Sequence, residues 1–164
     1  MKVLAISSSP RRGGNSDVLC DEFLKGAAEA GHETRKIRLA EKKIAPCAAC
    51  YGCTESHVCV RKDDMVNVLD ALKTADVIAL ASPVYFYSVC AQMKAMIDRC
   101  LPDYMEIKDK TFYLIVTAAD PQHSAARPSL TFADICAVCR EQKKRALSSE
   151  PVHGTRETYT AIRH

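Results

Sequence analysis

Four cysteines stand close together in the first half of the chain. They are Cys47, Cys50, Cys53 and Cys59, spaced C-x2-C-x2-C-x5-C in a cysteine-rich loop that we assign to residues 44–60. Thiolates are soft ligands and a cubane cluster needs four of them in one place, so this spacing favours a 4Fe-4S site. Reduced metal-free thiols, zinc and a redox disulfide are the alternatives, although structural zinc usually joins two separated pairs of ligands.

The five other cysteines show no comparable grouping. They are Cys20, Cys90, Cys100, Cys136 and Cys139. We interpret them as small buried hydrophobic residues, because free cysteine is among the most buried residue types. Cys136 and Cys139 form one further C-x2-C pair, to which their helical setting gives little weight.

A polar turn follows the first apolar run of the chain, at residues 7–16. Such a turn between a buried strand and a helix gathers backbone N–H groups and the positive end of the helix around one small volume, which suits a phosphate. The side-chain donors in the turn are Ser9, Arg11, Arg12, Asn15 and Ser16. We give the arginines less weight as phosphate ligands, because backbone donors alone can hold a phosphomonoester. The alternative interpretation of the whole segment is an ordinary strand-to-helix turn.

The turn also lacks the features of two common nucleotide-binding loops. It has neither G-x-G-x-x-G nor the G-K-[ST] ending of a nucleoside triphosphate loop. A monophosphate is therefore favoured over a dinucleotide or ATP.

Apolar residues recur at alternating strand and helix spacing through residues 1–126. We predict strands at 2–6, 33–39, 76–81 and 110–117, with helices at 16–30, from 63 or 64, and around Met93, Met96, Ile97 and Leu101. This order predicts a doubly wound parallel α/β sheet with right-handed crossovers and the strand order 2-1-3-4-5.

Residues 127–164 fit this pattern less well, and we predict them to be a divergent C-terminal segment of the same domain. A helix is predicted at 130–147, but the only strand candidate is the weakly apolar stretch at 158–162. The sequence therefore does not identify the fifth strand of the sheet.

Two ordered motifs in residues 1–126 resemble the NADPH-dependent FMN reductase and iron-sulfur flavoprotein family. Residues 8–16 are similar to its G-S-P-R-x-x-x-N-[ST] loop for the FMN phosphate, with Ser8 where the family usually has glycine. Residues 82–99 resemble its segment S-P-V-Y followed by K-x-x-x-D-R. The cysteine spacing and residues 62–65 look like the cluster-binding region of iron-sulfur flavoproteins.

The resemblance implies a flavodoxin-like fold that binds FMN at the carboxyl edge of the sheet, where open parallel sheets hold ligands. It places the flavin ring against a loop at residues 83–86 and a third loop after strand four. The residues implied are Ser82, Pro83, Val84, Tyr85, Phe86, Thr117 and Ala118. The aromatic side chains could instead fill the core or a subunit interface.

The resemblance further implies hydride transfer from NAD(P)H to FMN and delivery of electrons to a quinone, a flavin or an iron-sulfur acceptor such as a ferredoxin-like protein. We assign no catalytic acid or base, because the cofactor carries the chemistry. One alternative is a flavodoxin-type FMN electron carrier without nicotinamide turnover. Another is a regulatory or interaction protein whose cysteine loop is stabilised by a bound metal. A homodimer or homotetramer is expected.

Length and composition set outer limits on these interpretations. A chain of 164 residues with 48% hydrophobic content suits a single domain. The net charge of +3 lacks the one-sided basic enrichment typical of nucleic-acid binding. We find no signal peptide and no membrane-spanning run, and we expect a cytoplasmic protein.

Overall fold

The computed structural model of the protein describes residues 1–119 and a last strand at residues 158–163. The strands are β1 (Lys2–Ser7), β2 (Glu33–Arg38), β3 (Val77–Tyr85), β4 (Ser88–Val89), β5 (Thr111–Ala118) and β6 (Thr158–Arg163). The helices are α1 (Asn15–Glu29), α2 (Cys53–Ser56), α3 (Met65–Thr74) and α4 (Ala91–Asp98), with 3₁₀ turns at Leu39–Glu41 and Tyr104–Glu106. The predicted helix at 130–147 lies outside the described residues.

The strands form one sheet in the order β2-β1-β3-β5-β6, and β4 pairs with the end of β3. Strands β2, β1, β3 and β5 are parallel, which confirms the flavodoxin-like, doubly wound α/β class. The fifth strand, which the sequence left open, is β6, and it runs antiparallel to β5. Thr158, the first residue of β6, lies opposite Ala118, the last residue of β5. The chain therefore re-enters the sheet at the end where β5 finishes, whereas a parallel strand would start at the opposite end of the sheet, after a crossover connection.

The sheet buries a different set of residues on each face. One face and the helices α3 and α4 share a large cluster that includes Leu4, Ile6, Ile78, Leu80, Met65, Val68, Met93, Met96 and Leu114. The other face and α1 share a smaller cluster of Val3, Ala5, Ala79, Ala81, Cys20, Leu24 and Ile115. Because side chains alternate along a strand, the alanines of β1 and β3 all face α1 and let this helix lie close to the sheet. The start of α1 is thereby held beside the ends of β1, β3 and β5.

The third strand is longer than predicted. We expected it to end at residue 81 and to be followed by a loop at 82–87. Instead Ser82 and Pro83 stay in register with Val116 and Thr117 of β5, and β3 then turns through a tight hairpin into β4. Proline has no backbone N–H to donate, but it is tolerated near the end of a strand. The strand therefore continues past the apolar run at residues 76–81, and the length of that run underestimates the length of β3.

Seven cysteines lie within residues 1–119, and none of these seven is in a disulfide. Cys20 and Cys90 are buried as predicted, and Cys100 is partly buried. Burial in the apolar layer under α1 raises the pKa of the Cys20 thiol to about 12, so this thiol is inert at neutral pH. Cys136 and Cys139 lie outside the described residues.

In the part of the chain that is described, no helix has both the length and the apolar character needed to cross a bilayer.

Candidate functional site

A cavity of about 310 Å³ lies at the carboxyl edge of the sheet, where β1, β3 and β5 end. Its lining residues are Ser9, Arg11, Gly14, Asn15, Ser16, Pro83, Val84, Tyr85, Thr117, Ala118 and Ala119. Nine of these are among the eleven cofactor-site residues predicted from the sequence. Three segments thus meet at one place: residues 9–16, the end of β3 at residues 83–85, and the end of β5 at residues 117–119, which we call the first, second and third loops. The parallel sheet makes this possible because its strands all end at the same edge.

The first loop folds tightly against the start of α1. The Gly14 carbonyl accepts the N–H of Asp17 at 2.8 Å, and the Arg11 N–H donates to Ser9 Oγ at 3.2 Å. A Cβ atom on Gly14 would lie 3.2 Å from Arg11 Cβ and 3.4 Å from Ser9 Oγ, so a side chain there would require the turn to open by a few tenths of an ångström. The result is a compact polar turn at the positive end of a 15-residue helix, a setting that favours an anion.

Asp17 is buried behind this loop and holds it from outside the cavity. Its Oδ1 atom lies 2.8 Å from Lys36 Nζ and 3.1 Å from Arg38 Nε, and its Oδ2 atom accepts the N–H of Gly13 at 2.9 Å. Burial opposes ionisation, but the hydrogen bonds from Lys36 and Gly13 and the two cations together lower the pKa of Asp17 to about 2. The negative charge of the Asp17 carboxylate is therefore balanced by its partners. Its hydrogen bond from the Gly13 N–H also holds Gly13 in the left-handed conformation, at φ 64°.

A hydrogen bond between two hydroxyl groups ties the first loop to the third. Ser16 Oγ lies 2.8 Å from Thr117 Oγ1, and both residues are buried. This contact joins two sides of the cavity that are 101 positions apart in the sequence.

Two predicted residues, Ser82 and Phe86, do not line the cavity. Ser82 is buried, donates from Oγ to the Pro83 carbonyl at 2.8 Å and accepts the N–H of Cys90 at 3.0 Å, so it positions the start of α4. Phe86 is fully exposed at the tip of the β3–β4 hairpin, where Phe86 and Tyr87 have φ values of 50° and 61°. The hairpin turns Phe86 away from the cavity, whereas a loop at this place was expected to bring it in.

Sequence reasoning missed two lining residues, Gly14 and Ala119. Gly14 stands directly before the first helix in the polar turn, and its position at a helix start was the available signal. Ala119 only continues the third loop, and its residue type offers no signal.

The cysteine loop encloses a second cavity of about 180 Å³. All four predicted ligands, Cys47, Cys50, Cys53 and Cys59, line it, together with the neighbouring residues Ala48, Ala49, Tyr51, Val60, Arg61, Arg99 and Leu101. The first two thiols are exposed and the last two are partly buried. The fold thus gathers the four thiols around one largely apolar space.

The backbone of this loop is bent in ways that direct it around the cavity. Ala49, Tyr51 and His57 have left-handed φ values of 49°, 57° and 53°, and the N–H of Ala49 donates to Cys47 Sγ at 3.4 Å. Left-handed non-glycine residues cost free energy and persist where the surrounding structure requires them. Among the described residues, no three Cys, His, Asp or Glu side chains converge as the ligands of a single metal ion do.

A sequence model of the NADPH-dependent FMN reductase family matches residues 1–136. The chain belongs to this family. The FMN reductase match covers all three loops of the larger cavity, and the structural fit agrees with it, because the tight Gly14 turn and the hydroxyl donors of Ser9 and Ser16 suit a phosphate.

Curated relatives of this FMN reductase-family chain carry the name iron-sulfur flavoprotein. One from Methanocaldococcus jannaschii is 47% identical over 102 residues, which cover 62% of this chain and 53% of the relative. Another, from Archaeoglobus fulgidus, is 39% identical over 137 residues, covering 79% of this chain and 70% of the relative. The chain spans about half the length of several curated relatives that it matches.

Solved structures share the fold of this FMN reductase-family chain. A structure of RosB with bound 8-demethyl-8-formylriboflavin-5'-phosphate has a TM-score of 0.68 at 15% identity, covering 85% of this chain and 60% of that one. At this identity the likeness shows the flavodoxin-like fold alone.

Proposed function

We propose that the protein is an FMN-dependent oxidoreductase that takes a hydride from NAD(P)H and passes electrons to a quinone, a flavin or an iron-sulfur acceptor. The observation that carries this proposal is the cavity of about 310 Å³ in which the three loops meet at the carboxyl edge of the sheet. FMN, when bound there, supplies the hydride-accepting and electron-releasing chemistry. The residues of the chain bind and orient it.

The phosphate end of the proposed site is built from the first loop. The start of α1 offers backbone N–H groups that have no partner within the helix, and Ser9, Asn15 and Ser16 add side-chain donors. Arg11 lines the same space and adds a positive charge. Asp17 does not repel the anion, because Lys36 and Arg38 already neutralise it.

The ring end of the proposed site lies between the second and third loops. Pro83, Val84 and Tyr85 form one wall, and Ala118 and Ala119 form the other with small side chains. Tyr85 is 46% exposed, so its ring is free to pack against a planar ligand.

For the smaller cavity we propose a 4Fe-4S cluster on Cys47, Cys50, Cys53 and Cys59. A cubane holds its four thiolates further apart than a single ion does, which suits four cysteines that share one cavity without converging on a point. The names of the curated relatives add support. The cluster would supply one-electron chemistry and make a ferredoxin-like partner suitable, whereas metal-free thiols would favour small-molecule acceptors.

Two further parts of the proposal concern the setting of the protein. The seven cysteines within residues 1–119 form no disulfide, which suits a reducing compartment, and we propose a cytoplasmic location. We also propose a homodimer or homotetramer, which the fully exposed Phe86 and the half-exposed Tyr85 and Tyr87 support as candidate contact residues.

The test is the visible spectrum of anaerobically purified protein, with iron and sulfide analysis, before and after addition of NADPH or NADH. Flavin bands that bleach on addition of the nicotinamide, with about four iron atoms per chain, are the expected result. Flavin bands that do not bleach would instead identify a flavodoxin-type electron carrier. Failure to bind FMN on reconstitution would refute the proposal as a whole.

A further inference from the structure

Arg99 lies beneath the cysteine cavity and is one of the most deeply buried charged residues of the described chain. Its side chain is 2% exposed and lines the cavity together with the four cysteines. A buried cation is costly unless it is paired, so this position calls for an explanation beyond packing.

Most of the guanidinium is used to close the base of the cysteine loop. Arg99 Nη1 donates to the Ala45 carbonyl at 2.7 Å and to Asp63 Oδ2 at 2.8 Å, and Nη2 donates to Asp63 Oδ1 at 3.0 Å. Asp63 also accepts the N–H of Ala45 at 3.0 Å and that of Met65 at 3.1 Å. The two ends of the loop are therefore pinned to a single ion pair.

The remaining nitrogen, Nε, is buried and has no hydrogen-bond partner among the described residues. The hydrogen bonds to Asp63 raise the pKa of Arg99 despite burial. The guanidinium therefore lines the same cavity as the four cysteines and keeps one N–H donor that the described residues do not use.

We propose that Arg99 is a positioning residue that also sets the reduction potential of the cluster held by the four cysteines. This inference rests on the cluster proposed above. Reduction would add one negative charge to the cluster, and a buried cation that lines the same cavity and has an unused N–H donor would stabilise the reduced form. Reduction potentials of such clusters depend on local charge and on hydrogen bonds to the sulfurs.

The proposal predicts shifts of opposite sign at the two members of the ion pair. Arg99→Gln removes the cation and should lower the midpoint potential of the cluster, whereas Asp63→Asn removes the anion and should raise it. We expect each variant to change the equilibrium constant for one-electron reduction about tenfold, which is about 59 mV. The double variant should return close to the wild-type potential.

The measurement is a redox titration of the anaerobically purified holoprotein followed by electron paramagnetic resonance, with iron content determined for each variant. Arg99→Lys keeps the charge and should stay nearer to wild type than Arg99→Gln. Lys94→Gln is the matched control, because Lys94 is a half-exposed cation on α4, the helix that ends just before Arg99, and pairs with Asp98. Its removal should leave the potential unchanged.

The outcomes separate this inference from the function on which it rests. Iron-loaded variants with the wild-type potential, or shifts of the same sign in both single variants, would show that Arg99 is a structural anchor only. If Arg99→Gln fails to hold iron, the double variant and Asp63→Asn decide the matter by the sign of their shifts. A wild-type protein without iron after reconstitution would overturn the inference, while bleaching of its flavin by NADPH would still support the oxidoreductase.

Discussion

Asp17→Asn is the substitution whose effect follows most directly from the structure. The side chain keeps its size and can still accept the N–H of Gly13, but it loses the charge that pairs with Lys36 and Arg38. In the wild type these contacts lower the pKa of Asp17 from 3.8 to about 2. Substitution should therefore destabilise the fold without dismantling the loop.

The magnitude follows from linkage between protonation and folding. At 1.36 kcal/mol for each pH unit by which the pKa is lowered, the ionised Asp17 contributes about 2 kcal/mol to the free energy of unfolding at neutral pH. The folded-state pKa is below the unfolded value of 3.8, so this contribution is fully present above about pH 5 and is lost as the pH falls towards 2. About half of it should remain at pH 3.

The assay is urea-induced unfolding of wild type and Asp17→Asn at several pH values between 7 and 3, without added FMN. We expect the difference between the two proteins to be about 2 kcal/mol at pH 7 and to fall to about half of that at pH 3, as Asp17 becomes protonated in the unfolded chain while it stays ionised in the folded one. A difference that does not change with pH would refute the reasoning, because the loss would then come from local geometry and not from the ion pairs. A difference below about 0.5 kcal/mol at pH 7 would show that solvent screens these pairs.

Three further substitutions test other parts of the proposed sites. Gly14→Ala should weaken FMN binding about tenfold in a fluorescence-quenching titration, because its Cβ crowds the first loop, while Gly26→Ala, with nothing within 4 Å, should leave the affinity unchanged. Thr117→Val should lower the free energy of unfolding by about 1 kcal/mol through loss of the hydroxyl contact between two loops, and an unchanged urea midpoint would contradict that role. Cys59→Ser should abolish stable iron incorporation after reconstitution and Cys20→Ala should not; equal iron contents would exclude Cys59 as a ligand.

The sequence alone determined the class of fold and the position of the polar turn that lines the larger cavity. Strand and helix differ in hydrophobic period, so the alternation through residues 1–118 is a local property, and glycine, serine and asparagine mark the turn before α1 by their own backbone preferences. The four cysteines were also found by spacing, since neighbours within one short loop need no tertiary information to be placed together.

Only the tertiary structure decided where β3 ends and how the last strand pairs. Residues 82–85 form a strand because β5 and then β4 supply partners from distant positions in the chain, and no local pattern contains that pairing. The direction of β6 likewise depends on the edge at which the chain re-enters the sheet.

Long-range contacts also decided which side chains share a site. Ser16 meets Thr117, and Arg99 meets the cysteine loop, because the sheet brings together loops that lie far apart in sequence. Residue types can nominate such groups, but the distances between them, and therefore the hydrogen bonds and the electrostatics of the site, exist only once the chain has packed.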